Sequence, residues 1–243
     1  MSGIKICGLF RACDIDYVNE AKPDYAGFIL HFPKSHRNVG PAVAAEMRGR
    51  LLTGIRAVGV FVDQPEETVI ASAERIGLDA VQLHGHEDDR YIKSLRASLK
   101  RPVWKAFKVR SEADLMEAER SSADEILLDN GYGTGNAFDW SILSGFSRPY
   151  ILAGGLTPEL ITKAGRISKA GVISKAGVIS KDGTFPKAGV ISKDGTFPKA
   201  GMISKDGTIP PPKLFDISSG VETDKVKDRD KILAAVRAAR LCR

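Results

Sequence analysis

Apolar residues cluster in eight short runs along the chain: Ile4 to Cys7, Tyr25 to Leu30, Arg56 to Phe61, Ala80 to Leu83, Pro102 to Phe107, Glu125 to Asp129, Pro149 to Ala153 and Leu214 to Ser218. Most segments between them have a helical period. Glu66 to Ile76 places Val69, Ile70, Ala73 and Ile76 on one face, and Asp88 to Leu99 does the same with Tyr91, Ile92, Leu95 and Leu99. Short apolar strands that are each followed by a helix have to pair in parallel and be covered on both faces, because a tight hairpin cannot join parallel neighbours. Eight such units predict a single-domain α/β fold, a (β/α)8 TIM barrel, in which chemistry gathers at the C-terminal ends of the strands. The competing arrangement is an open doubly wound sheet with its ligand at a switch point. It is disfavoured because no G-x-G-x-x-G follows the first run.

With 243 residues, 43% of them apolar and 27% charged, the chain can bury a large core within one domain, residues 1–243. No apolar stretch reaches the roughly 18 to 20 residues of a bilayer span, and the short first run carries Lys5. Neither a membrane segment nor a secretory leader is therefore expected, and the protein is read as cytoplasmic. Cys7, Cys13 and Cys242 have no C-x-x-C or His-rich metal spacing, so neither a disulfide framework nor a metal site is expected.

The net charge of +6 suggests a nucleic-acid partner until it is located. Residues 163–213 hold ten basic and three acidic residues, a local excess of seven, which leaves the remaining chain with a net charge of −1. The basic character belongs to one segment, and no nucleic-acid partner is expected. That segment is repetitive. KAGVISKDGTFP runs from Lys175 to Pro186 and again from Lys187 to Pro198, returns as KAGMISKDGTIP from Lys199 to Pro210, and is preceded by KAGVIS at Lys169 to Ser174. Asp-Gly favours a tight hairpin turn in each unit, and the Pro limits strand continuity. Each unit has too few large apolar residues to offset an ordering cost of about 1 to 2 kcal/mol per residue. A weakly ordered excursion is the leading expectation, with a β-solenoid or a docked hairpin stack as alternatives. The repeats form an insertion, residues 165–213, between the seventh and eighth strands. Thr157-Pro158-Glu159 is a good helix start, and the helix is expected to be short, ending near Ala164 before Gly165. The repeats are expected to leave the barrel on the side away from the catalytic rim.

Seven fragments then carry a resemblance: KICG at Lys5 to Gly8, FPKSHR at Phe32 to Arg37, VGVFVD at Val58 to Asp63, VQLHG at Val81 to Gly85, LLDNGYGTGNAFDW at Leu127 to Trp140, LAGGLTPE at Leu152 to Glu159, and DISSGVE at Asp216 to Glu222. In this order, and at strand ends of a chain already read as a barrel, they resemble the phosphoribosylanthranilate isomerase family of tryptophan biosynthesis. The resemblance runs from residue 3 to the C-terminus, with only the repeats lacking a counterpart. It implies an aldose–ketose isomerisation, an Amadori rearrangement of N-(5-phosphoribosyl)anthranilate to 1-(2-carboxyphenylamino)-1-deoxyribulose 5-phosphate. No cofactor or metal is implied, and the protein would be a monomer or a homodimer.

The match to KICG offers Cys7 as general base, a role that requires its thiolate to be favoured by nearby positive charge or backbone donors. Without the motif, a small buried hydrophobe would be the simpler reading of a lone cysteine. Asp129 ends an otherwise apolar strand, where aspartate often just caps a turn; the match makes it the general acid, with a pKa expected to be raised by desolvation. Phosphate is expected on backbone amides after strands seven and eight, at Gly154 and Gly155 and at Ser218, Ser219 and Gly220. Arg37 matches the arginine that faces the anthranilate carboxylate, where a guanidinium can make a bidentate contact. His84 and Asp216 match mouth positions with less definite roles. Gly133-Thr134-Gly135 resembles a covering loop. The chain departs from the commonest pattern at Phe10, where Thr or Ser often stands. Two further readings are a scaffold built on a degraded barrel and a related barrel isomerase or lyase for another phosphoribosyl compound. The intact Cys7, Asp129, Arg37 and glycine turns argue against the first, and Cys7 with FPKSHR argues against the second.

Overall fold

The computed structural model describes residues 2–129, 140–143, 146–170 and 210–242. Eight parallel strands form the barrel: β1 (Gly3–Ile6), β2 (Tyr25–Leu30), β3 (Arg56–Phe61), β4 (Ala80–Leu83), β5 (Val103–Lys108), β6 (Glu125–Asp129), β7 (Tyr150–Ala153) and β8 (Leu214–Ile217); Asn38–Val39 adds a two-residue strand beside β2. The helices are α1 (Ala12–Ala21), α2 (Pro41–Gly49), α3 (Glu66–Ile76), α4 (Asp89–Ser98), α5 (Glu112–Arg120), α6 (Pro158–Ala170) and α7 (Arg229–Leu241). Each strand pairs with the next. β1 pairs with β2 through Lys5 and Ile6, and with β8 along its whole length, from Gly3 opposite Leu214 to Ile6 opposite Ile217. The sheet is a closed eight-stranded parallel barrel, as the apolar runs predict.

Alternation along the strands separates two cores. Ile4, Ile6, Phe28, Leu83, Ile126 and Leu128 join the large cluster shared with the helices. Residues of the opposite parity, among them Val58, Ala80, Trp104, Leu127, Ile151 and Leu214, form a smaller cluster that fills the inside of the barrel. Tyr25 lies edge-on to Trp104 there, at 5.0 Å between ring centroids. Two residues further along the same face, Lys5, Gln82 and Asp216 replace this apolar floor with a buried polar layer. Lys5 and Asp216 stand directly opposite each other in the β1–β8 register.

Helix α6 starts as expected, with the Leu160 N–H donating to Thr157 Oγ1 at 3.3 Å. It is not the short helix expected, because it continues through Gly165 to Ala170. A glycine inside a helix costs only about 1 kcal/mol relative to alanine, and full burial of Ile161 and near-full burial of Ala164 outweigh that cost. Residues 171–209, which hold most of the repeat insertion expected over 165–213, lie outside the described residues, as does the glycine-rich stretch Gly133 to Gly135. At the end of the last repeat, Pro210 O accepts a hydrogen bond from Tyr150 Oη at 2.7 Å, and Pro212 O accepts one from Ser2 Oγ at 2.7 Å. Tyr150 begins β7 and Ser2 precedes β1, so this flank stands at the end of the barrel opposite the C-terminal rim. Among the described residues, no helix is long and apolar enough to cross a membrane.

Candidate active site

Cys7 follows directly on β1, with its N–H donating to Ile217 O at 2.8 Å. Its Sγ lies 3.2 Å from the Nζ of Lys5, two residues back on the same strand face. Lys5 is fully buried and spends its other hydrogen bonds on Asp216 Oδ2 at 2.9 Å and Gln82 Oε1 at 2.7 Å. Burial works against its ammonium form, but Asp216 and Cys7 outweigh burial and hold its pKa above the ordinary value. Cys7 itself is 7% exposed. Burial pushes its thiol up, Lys5 opposes the rise, and Asp216 adds to it, so the net shift is upward. The expected thiolate-favouring cation is therefore present, yet it does not win, because desolvation and the Asp216 charge act against it. Gly27 on β2 makes room for the pair: a Cβ there would lie 2.9 Å from Lys5 Cε and 3.0 Å from Cys7 Sγ. Asp216 Oδ1 is buried and has no hydrogen-bond partner among the described residues.

The polar layer continues across the barrel. Gln82 Nε2 lies 3.1 Å from His84 Nδ1, and His84 Nε2 lies 3.2 Å from Asp129 Oδ2. Gln82 and His84 share one face at the end of β4, and Asp129 is the last residue of β6. Cys7 and Asp129 thus stand on the same rim, on well-separated strands, at the two ends of one chain of side-chain contacts.

Arg37 lies beyond β2 and packs over Gly8. Its Nε and Nη2 each contact Glu222 at 2.6 Å, and Glu222 Oε1 also accepts from the fully buried Lys227 Nζ at 2.8 Å. Burial favours protonated Glu222, but Arg37 and Lys227 hold its pKa down to about 2. Burial lowers the Lys227 pKa despite Glu222. The Nε–Nη2 edge of Arg37 is therefore committed to a protein carboxylate, and a ligand carboxylate would meet the Nη1 side. Phe10, the departure from the family pattern, packs edge-on against His36 with ring centroids 5.9 Å apart. It leaves Arg37 and Glu222 paired.

The two glycine turns meet. Gly154 and Gly155 follow β7 with φ of 89° and 60°. Ser218 follows β8 and donates through Oγ to Cys7 O at 3.1 Å, while Ser219 and Gly220 begin a single 3-10 turn. A Cβ at Gly220 would fall 1.8 Å from Leu156 O, so the turns after β7 and β8 are in backbone contact.

The structure thus brings Cys7, Asp216, His84 and Asp129 into one network, sets Arg37, paired with Glu222, over Gly8 next to Cys7, and joins Gly154, Gly155, Ser218, Ser219 and Gly220 at the adjoining rim. Lys5, Gln82, Glu222 and Lys227 also belong to this arrangement, although the sequence marks none of them as a candidate site residue. Lys5 and Gln82 carried a signal, since each is a polar residue inside an apolar run, two positions before a candidate residue and so on its face. Lys227 carried none.

Comparison with known proteins gives the chain a family. The family model described as N-(5'-phosphoribosyl)anthranilate (PRA) isomerase matches residues 4–184. A protein of Caldanaerobacter subterraneus subsp. tengcongensis named N-(5'-phosphoribosyl)anthranilate isomerase is 43% identical over 171 residues, covering 68% of this chain and 82% of its own length. One of Clostridium kluyveri with the same name is 37% identical over 243 residues, covering 99% and 98%. Among solved structures, a phosphoribosyl anthranilate isomerase in complex with reduced 1-(o-carboxyphenylamino)-1-deoxyribulose 5-phosphate superposes with a TM-score of 0.73 at 27% identity, covering 99% of each chain.

Proposed function

This chain belongs to the N-(5'-phosphoribosyl)anthranilate isomerase family, and we propose that Cys7 and Asp129 are the base and acid with which it performs the Amadori rearrangement of phosphoribosylanthranilate. It is an aldose–ketose isomerase of tryptophan biosynthesis. The observation that carries the residue assignment is the placement of Cys7 and Asp129 on one rim, beside the abutting turns of β7 and β8.

Asp129 gives its proton to the furanose ring oxygen while the anthranilate nitrogen lone pair expels that oxygen from C1, which opens the ring to an iminium ion. The Cys7 thiolate then takes the C2 proton, and the C2–H electron pair neutralises the iminium as an enolamine. The Cys7 thiol returns its proton to C1, and the Asp129 carboxylate takes the enol proton as the C2 ketone forms, so that both groups end as they began. The Lys5 ammonium, 3.2 Å from the sulfur, stabilises the thiolate once it forms. The phosphate is held by the amides of Gly154, Gly155, Ser218, Ser219 and Gly220. The anthranilate carboxylate meets the Nη1 side of Arg37. Asp216 fixes Lys5 through Oδ2. The reading carries with it a cytoplasmic enzyme, monomeric or homodimeric, with the repeats as an insertion away from the rim.

The test is loss of phosphoribosylanthranilate fluorescence with purified protein. Wild type is expected to turn over, and Cys7→Ala and Asp129→Ala are each expected to lose at least about a hundredfold in kcat. Full activity in both variants would overturn the assignment.

A further inference from the structure

The polar layer has a direction. A lysine ammonium has only donors, so the atom that Gln82 turns to Lys5 has to be its carbonyl oxygen, 2.7 Å away. The amide nitrogen of Gln82, which only donates, is then fixed toward His84 Nδ1 at 3.1 Å. Nδ1 must accept, so the ring proton resides on Nε2 and is donated to Asp129 Oδ2 at 3.2 Å. A second proton on Nδ1 would face the Gln82 N–H₂ donor to donor. The rotamer freedom that usually leaves a glutamine flip undecided is removed here by full burial of both Lys5 and Gln82.

We propose that Lys5 and Gln82 are positioning residues that lock His84 as the neutral Nε2–H tautomer, and that this lets Asp129 hold and release the proton used in ring opening. The reason is electrostatic. An imidazolium 3.2 Å from Asp129 would favour its carboxylate and deprive the acid of its proton, whereas a neutral N–H donor orients the carboxyl without that penalty. The inference rests on the assignment of Asp129 as the acid. It adds that the acid is tuned from across the barrel, by a lysine that also contacts the base. Lys5 thus contacts the thiol at one end and sets the tautomer that serves the carboxyl at the other.

The experiment is nitrogen NMR of histidine-labelled, ligand-free protein near neutral pH, with the His84 signals identified by their loss in His84→Asn. Wild type is expected to show a protonated Nε2 and an unprotonated Nδ1. Gln82→Glu presents an acceptor to Nδ1 and is expected to protonate it. In the same variant kcat should fall about tenfold to a hundredfold with KM changed less than about threefold. Gln82→Met, which keeps the volume without adding a charge, is expected to give a mixture of tautomers and a smaller fall in kcat. A protonated Nδ1 in wild type, a His84 signal indifferent to Gln82→Glu, or full kcat in a variant whose tautomer has changed would each overturn the proposal. The NMR arm uses no substrate, so it stands apart from the test of Cys7 and Asp129. Activity that survives Cys7→Ala and Asp129→Ala sinks the site assignment, whereas loss in those variants with no response to Gln82 substitutions sinks only this inference.

Discussion

Glu222 holds the Nε–Nη2 edge of Arg37 through two hydrogen bonds of 2.6 Å, and the same carboxylate neutralises Lys227, whose side chain is fully buried. Removing that charge strands two cations, one of them without access to water. Glu222→Gln is expected to cost about 3 kcal/mol in urea denaturation, the lower end for breaking a buried pair because the amide keeps its acceptor oxygen. KM should rise more than kcat falls, since Arg37 would lose its orientation. A variant as stable as wild type would show that the pair is not structural.

The same carboxylate gives an acid limb to stability. Its pKa is about 2 in the folded protein against an ordinary 4.5, so the unfolded chain binds the extra proton at low pH. The stabilisation is complete above about pH 4.5 and is lost as pH falls towards 2. The slope of unfolding free energy against pH in that window should be shallower in Glu222→Gln than in wild type. Parallel slopes would remove Glu222 as the source.

Gly220 cannot accept a side chain without displacing backbone, because its Cβ would fall 1.8 Å from Leu156 O. Gly220→Ala is therefore expected to push apart the turns after β7 and β8, with a stability loss of about 3 kcal/mol and a KM raised more than about tenfold. Inorganic phosphate should protect wild type against thermal unfolding and protect the variant little. Equal protection in both would place the phosphate elsewhere.

Cys7 should be a slow thiol in the ligand-free enzyme. Burial and Asp216 outweigh Lys5 and raise its pKa, and thiolate is the reactive form. Alkylation by iodoacetamide near neutral pH, followed by peptide mass spectrometry, should run at least about tenfold slower at Cys7 than in free cysteine. It should accelerate only above the ordinary thiol range near 8.5. Rapid labelling of Cys7 ahead of Cys13 and Cys242 would contradict the electrostatic balance described here.

The repeats can be trimmed without touching a described contact. Deletion of Lys175 to Pro198 keeps α6 to Ala170 and the Pro210 carbonyl bonded to Tyr150. We expect kcat and KM within about twofold of wild type. A large fall in kcat with unchanged unfolding would show that the segment serves the site.

The strands were legible because parallel barrel strands are buried on both faces and read as apolar runs, and the candidate chemistry was legible because it stands where those runs end. Cys7, Asp129 and Arg37 could thus be singled out by position and motif. What could not be read is how a barrel spends polar residues inside itself. Lys5 stands inside an apolar run, and only its two-residue spacing from Cys7 puts both on one face. Gln82 stands in the same way two positions before His84. The pairing of Glu222 with Arg37 joins residues far apart in sequence, and no local pattern marks it. For the helix after β7, Gly165 and the repeats beyond it point to an early end, whereas burial of Ile161 and Ala164 carries it on to Ala170.

Closure of the barrel between β1 and β8 also has a cost during synthesis. β1, made before the other strands of the barrel, finds one of its partners only when Leu214 to Ile217 has been made, so the nascent sheet carries two raw edges until then, each a template for pairing with other chains. At about 5 to 20 residues per second, the repeats between Lys169 and Pro210 prolong that exposed interval by a few seconds, and a chaperone that shields unpaired strands would matter more to this chain than to one without them.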